Sequence, residues 1–207
     1  MATSGSPSQW ADFFPENLVP DVLILVVSSW EELDKPQHNE HEVSITKRFL
    51  PVLRRNKGLR RLPFAIDRET WLDDEAATEH ARLDLRFQHG HREDVYLAFE
   101  CKRLNVKYES GFRSEASKYV HEGMSRFMEH KYARGLRQGG MIGYVMDGDV
   151  DAAVRAIEGQ FRDHKKLLLL RVPKLARSSL VPDNSNIRET THHGTGRPFR
   201  IHHLFLA

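Results

Sequence analysis

The sequence predicts a mixed α/β domain, and three features predict it. Two alternating apolar runs, Leu83-Leu85-Phe87 and Val95-Leu97-Phe99-Cys101, flank the polar stretch His89-Gly90-His91-Arg92, which is the pattern of a β-hairpin. Stripes at helical spacing lie on both sides of it: Val43, Ile45, Phe49, Leu50 and Leu53 before, and Ala116, Tyr119, Val120, Gly123, Phe127 and Met128 after. Short apolar runs recur at residues 141–146, 167–172 and 199–206. Strands interleaved with amphipathic helices give a sheet flanked by helices.

Taken in order, residues 1 to about 15 are mostly small and polar and read as a flexible N-terminus. Residues 20–33 (PDVLILVVSSWEEL) open on Pro-Asp and close on Glu-Glu-Leu, which favours a helix over the strand suggested by the β-branched run. A second helix starts after Asn39, with Pro51 as a potential kink and Gly58 as its stop behind the basic Arg54-Arg55-Asn56-Lys57. Residues 62–71 read as a bent strand and Asp73-Asp74-Glu75 as a solvated loop. After the hairpin, a long amphipathic helix is expected over residues 112–132, ended by Gln138-Gly139-Gly140. A strand follows at 141–146, then a turn at Asp147-Gly148-Asp149. Asp149 caps a helix over 150–164. Strands at 167–172 and 199–206 bracket a polar, loop-like stretch, 177–197.

A chain of 207 residues suits one domain, taken as 16–207, and is long enough to bury a core. The formal net charge of +2 does not announce a polyanion partner, so any anion-binding surface must come from local clustering. One cysteine excludes an intramolecular disulfide framework and a multi-cysteine zinc site. The twelve histidines have no HExxH-type spacing, and no phosphate-binding glycine loop or Gly-x-Ser-x-Gly element is present. Without a basic n-region and apolar stretch the N-terminus does not read as a secretory signal, and the run Val22 to Val27 is too short for a membrane span. A soluble cytoplasmic protein with no membrane partner is the expectation.

The hairpin carries the chemistry. Side chains in a strand alternate faces. If the apolar set points into a core, Asp84, Glu100 and Lys102 point the other way, and Cys101 is a buried small hydrophobe. An Asp in one strand and a Glu-x-Lys ending the next is the arrangement of a metal-dependent phosphodiesterase. Hydrolysing a phosphodiester requires charge stabilisation on the non-bridging oxygens, an activated water and a stabilised leaving alkoxide. The alternative reading is a cross-strand salt-bridge cluster on a solvated face, worth about 1 kcal/mol or less.

Asp84…Glu100-Cys101-Lys102, set in strands between a glutamate-bearing helix and a basic helix, resembles the core of the PD-(D/E)xK nuclease superfamily, the restriction-endonuclease-like fold. The resemblance spans roughly residues 40–145, and Leu83 stands where the motif's proline would precede Asp84. It implies an αβββαβ core with a mixed central sheet, and hydrolysis of DNA with Mg²⁺ or Mn²⁺. The metal ligands it implies are Asp84, Glu100 and the backbone carbonyl of Cys101, with Lys102 on the attacking water and phosphate. Family members often add a glutamate from the preceding helix, and Glu42 is preferred here to Glu40. The helix after the hairpin would bring phosphate contacts, with Lys118 the first candidate beside Arg103, Arg113 and Arg126. The basic stretch 54–61 could track a phosphate backbone or serve helix-end electrostatics. The resemblance also implies a subunit of a defence or repair assembly, targeted or activated by a protein partner, and leaves homo-oligomers open. The competing class is a non-catalytic, nuclease-like subunit that binds nucleic acid or builds an assembly.

Overall fold

The alternation at 83–101 forms the centre of the molecule. In the computed structural model, which describes residues 14–72, 81–91, 95–129, 136–164, 168–193 and 198–207, strands β2 (Ala81–His89) and β3 (Tyr96–Leu104) pair antiparallel. β1 (Phe64–Leu72) pairs antiparallel with β2 on its far side. Beyond β3 lie β6 (Gln138–Val145) and β9 (Phe199–Leu206), both parallel to their inner neighbours. Two antiparallel strands, β8 (Ile187–His192) and β7 (Ala176–Arg177), complete a seven-stranded mixed sheet in the order β1-β2-β3-β6-β9-β8-β7.

Helices cover both faces. α1 (Val19–Trp30) and α2 (Glu42–Leu59) bury Val22, Leu23, Val26, Ile45, Phe49 and Leu53 against Leu85, Phe87, Leu97, Phe99 and Cys101. Each fully buried side chain of this size contributes about 1.5–3 kcal/mol relative to exposure. On the other face sit α5 (Val150–Gln160) and a split helix made of α3 (Ala116–Lys118), a π-wound turn (Tyr119–Met124) and α4 (Ser125–Met128). From α2 to β6 the succession is therefore helix, three strands, helix, strand, with a small two-stranded hairpin, β4 (Val106–Tyr108) and β5 (Gly111–Arg113), inserted after β3. Asp149 caps α5 as its spacing predicts, accepting from Ala152 N at 2.8 Å. No helix among the described residues is long and apolar enough to cross a membrane.

Several expectations are corrected. α2 continues through Pro51, which lies on its exposed side, and through Gly58. Its end is set by Arg61 in the left-handed region at φ 54. The long helix starts at Ala116, not at 112, because Phe112 and Arg113 belong to β5. Gly139 and Gly140 lie inside β6 and do not end a unit. A Cβ on Gly140 would collide with the Phe99 ring, so glycine lets that aromatic lie flat across the neighbouring strand. Residues 168–172 form no strand beyond one bridge, Leu170 to His192, and Leu169 takes φ 52. The supposed loop 177–197 contains β8. The loop Asp73-Asp74-Glu75, residues 1–13, Arg92 in the hairpin turn, Lys131 and Arg134 lie outside the described residues.

Candidate functional site

The site grows out of an interruption in the sheet. The β2–β3 ladder ends at the pair Leu85↔Phe99. Leu104, three residues beyond Cys101 on β3, offers its carbonyl to Met146 N on the β6 side, so by alternation Cys101 and Arg103 turn their backbone groups towards β2. With β2 no longer alongside, those N–H groups need other acceptors. Two carboxylates supply them. Asp84 Oδ2 accepts from Cys101 N at 2.8 Å, and Glu42 Oε2 accepts from Arg103 N at 3.0 Å. Glu42 can do so because it is the first residue of α2, whose N-terminus meets β3 at the break.

The remaining atoms converge there. Lys102 Nζ donates to Glu100 Oε1 at 2.5 Å, to the Cys101 carbonyl at 3.0 Å and to Glu42 Oε1 at 3.5 Å. Arg126 of α4 reaches Glu100 Oε1 at 3.2 Å. Glu100 is 1% exposed and Lys102 has a side chain 12% exposed. Cys101 is fully buried on the opposite face, beside the Tyr144 hydroxyl at 3.6 Å, and burial with the nearby Asp84 charge pushes its thiol well above the ordinary range. The structure thus brings Glu42, Asp84, Glu100, Lys102 and the Cys101 carbonyl together.

Glu40 does not join them. It turns outward to a two-pronged pair with Arg48, at 2.8 and 2.9 Å, which lowers its pKa. Of the basic residues, Arg126 is at the cluster, and Arg103 is at its margin with its guanidinium on the Glu40 carbonyl at 2.9 Å. Lys118 is held by Glu115 at 2.9 Å on an exposed flank. Arg113 lies over the Tyr108 ring, 5.1 Å from its centroid, in the small hairpin rather than on the helix. Of the basic stretch 54–61, Arg54 and Arg55 pair with Asp67 and Glu32. Sequence reading missed Arg86, which shares the face of Asp84 two residues on; its Nη2 faces Asp67 Oδ2 at 3.5 Å, and its Nε is buried with no hydrogen bond among the described residues. The alternation that placed Asp84 was the signal for it.

Three carboxylates around one ammonium perturb one another. Desolvation, reinforced by the Glu100 charge, lifts Asp84 to about 7 despite the opposing Lys102 and the Cys101 N–H. Burial likewise raises Glu42 against the pull of Lys102 and Arg103 N. For Lys102, burial favours the neutral amine, but Glu100, Glu42 and Asp84 outweigh it and hold the ammonium charged well above its ordinary range. Such a group can accept or release a proton at Asp84 near neutral pH while keeping a fixed positive charge beside it.

Among the described residues no three His, Cys, Asp or Glu side chains form a metal cage. Compared with protein-family models, curated proteins and solved structures, the chain matches none.

Proposed function

We propose that the chain is a divalent-metal-dependent nuclease of the PD-(D/E)xK type that hydrolyses phosphodiester bonds in DNA. The observation that carries this reading is the convergence of Asp84, Glu100, Lys102, Glu42 and the Cys101 carbonyl where the β2–β3 ladder opens. The succession of helix, three strands, helix and strand supports it, being the order of the restriction-endonuclease-like core.

The donor set fits a hard cation. Asp84 keeps Oδ1 without a hydrogen bond among the described residues, and burial first, then the Glu100 charge, raise its pKa, which a cation beside it would lower again. Mg²⁺ takes one or two carboxylates and completes its shell with water and substrate phosphate. Asp84, Glu100 and the Cys101 carbonyl would hold the ion, with Glu42 beside them. The metal, when bound, polarises the phosphoryl group and eases ionisation of water. Lys102 orients the attacking water and offsets charge on the phosphate. Arg126 orients Glu100. Glu42 fixes the β3 edge through Arg103 N and restrains Lys102. Cytoplasmic action, within a defence or repair assembly and with a protein partner for targeting, belongs to the same proposal.

A second reading has its own observation. The Lys102 ammonium already ties Glu100, Glu42 and the Cys101 carbonyl together, as a purely structural ion cluster would in a non-catalytic, nuclease-like subunit. Incubation with supercoiled plasmid, linear duplex, single-stranded DNA and RNA, each with Mg²⁺, Mn²⁺ or EDTA, separates the two. Metal-dependent DNA cleavage is the expected result. Salt-dependent binding without cleavage would leave the second reading standing.

A further inference from the structure

The β4–β5 hairpin continues directly from the strand that bears Glu100 and Lys102, and its two faces are built differently. Val106, Tyr108 and Arg113 share the inner face. Val106 is buried, Arg113 lies over the Tyr108 ring, Tyr108 Oη donates to Glu115 Oε1 at 2.9 Å, and Lys118 pairs with the same carboxylate. Asn105, at φ 53, donates its N–H to Ser114 O at 3.0 Å, and its side chain donates to Asp147 and to the Asp149 carbonyl. The root and underside are therefore fixed.

Among the described residues the outer face has none of this. Lys107 and Phe112 are direct cross-strand partners there, both exposed, and Phe112 is 59% exposed. Single exposed apolar side chains are ordinary on protein surfaces. Phe112 differs in being held out on a braced ribbon, with a cation as its cross-strand neighbour and the Glu100–Lys102 strand leading into it. Charge selects the partner. Arg103 stands before the hairpin and Lys107 and Arg113 are in it, whereas Lys118 after it is offset by Glu115. Glu115 is already taken up by Lys118 and Tyr108, so Glu109 at the turn is the remaining acid of the hairpin.

We propose that this face binds single-stranded nucleic acid, with one base stacked on the Phe112 ring and a neighbouring phosphate on Lys107. An aromatic platform beside a cation is the arrangement that holds unpaired bases, and it tolerates any sequence because every base has a π-face. A duplex keeps its bases stacked on one another and offers the ring nothing. The inference rests on the nuclease reading and names its substrate form: a strand unpaired near the cut.

The test uses the full chain in EDTA, so that binding is read without cleavage. Fluorescence anisotropy follows a labelled single-stranded oligonucleotide and its blunt duplex, with the parent, Phe112→Ala, Phe112→Trp and Lys107→Ala. Phe112→Ala should weaken single-strand binding about tenfold and leave duplex binding within about twofold. Phe112→Trp should keep single-strand affinity and add indole quenching beyond that of the parent's own tryptophans. Lys107→Ala should lower the salt slope by about one. Unchanged single-strand binding by Phe112→Ala, equal loss on both ligands, or a change of oligomeric state by light scattering in place of a change in binding would each overturn the inference. If Phe112→Ala binds like a parent that cleaves DNA with Mn²⁺, only the hairpin assignment fails. If the parent binds single strands through Phe112 but cleaves nothing, only the nuclease reading fails.

Discussion

Two polar clusters sit on this sheet, and they are built on opposite principles. The first is the Glu42–Asp84–Glu100–Lys102–Arg126 group. The second joins Tyr119, His203, Thr190 and His192, all buried. In the second every donor meets an acceptor in one consistent order. His192 Nδ1–H donates to Leu168 O at 2.6 Å, which leaves Nε2 to accept from the Thr190 hydroxyl at 2.8 Å. Thr190 Oγ1 then accepts from His203 Nε2–H at 2.8 Å, and His203 Nδ1 accepts from Tyr119 Oη at 2.9 Å. Both imidazoles are neutral, and burial holds His192 at about 4 and His203 well below the ordinary value. That chain is satisfied and ties the π-wound turn to β8 and β9. The first cluster instead crowds three carboxylates on one ammonium and one guanidinium, with Asp84 at about 7. A fully paired buried network rigidifies, whereas a crowded one is tolerated where it serves a ligand. The difference marks the first cluster as the functional candidate and the second as scaffold.

The sharpest way to break that distinction is Asp84→Asn. It removes a buried charge while keeping an acceptor for Cys101 N. Mn²⁺ binding by calorimetry and DNA cleavage should both be lost, yet the melting temperature at pH 8 in EDTA should rise. A fall in stability with activity retained would make the first cluster scaffold too. Next in size, Lys102→Ala should cut cleavage by roughly 10²-fold or more, the scale of losing a positioned electrostatic or proton-transfer group, while Mn²⁺ still binds. Cleavage at the parental rate would reject Lys102 as a working group.

The histidine chain should answer in stability instead. Thr190→Val keeps the shape but strands a His192 acceptor and a His203 donor. It should cost about 2 kcal/mol in urea unfolding, within the usual range for unpaired buried groups. The two clusters should also respond to pH with opposite sign. His192 folds with its pKa at about 4, below an unfolded value of about 6.5, so the unfolded chain binds more protons between them. Its stabilisation is complete above the upper value and is lost as pH falls towards the lower. Asp84 folds with its pKa at about 7, above an unfolded value of about 3.9, so stability falls as pH rises between them. Denaturation in EDTA across this range should show a steeper rise with pH for Asp84→Asn than for the parent. An unchanged profile would remove the electrostatic contrast. The smallest effect expected is on the helix glutamates. Glu42→Gln should slow cleavage about tenfold, as the loss of one charge-assisted contact would, and Glu40→Gln should not, since Glu40 pairs outward with Arg48. The reverse result in the cleavage assay would exchange their roles.

Much of this was legible in the residues. Alternation at 85–87 and 97–101 fixes which side chains share a face, because a strand has a period of two, whereas Leu83 departs from it and packs in the core of the opposite face. The alternation placed Asp84 against Glu100 and Lys102 and buried Cys101. Asp149 as a cap and the stripe of α2 follow from local rules equally strong. What local rules could not decide were segments whose environment overrides their composition. β8 reads as polar, yet Thr190 and His192 are buried because the histidine chain satisfies them. Gly139 and Gly140 look like a stop but run through a strand, because Phe127 and Phe99 occupy the space a Cβ would need. Phe112 and Arg113 continue a helical stripe in sequence, yet backbone pairing with β4 claims them. Glu42 is preferred to Glu40 already in the sequence, but its contact with Arg103 N, and the meeting of Arg126 with Glu100, needed the ladder to stop at Leu85↔Phe99 and the helix ends to arrive there. The sequence alone determined which groups each strand presents, through short-range periodicity; only the tertiary structure decided which of them share one desolvated volume, because that depends on where distant chain segments pack.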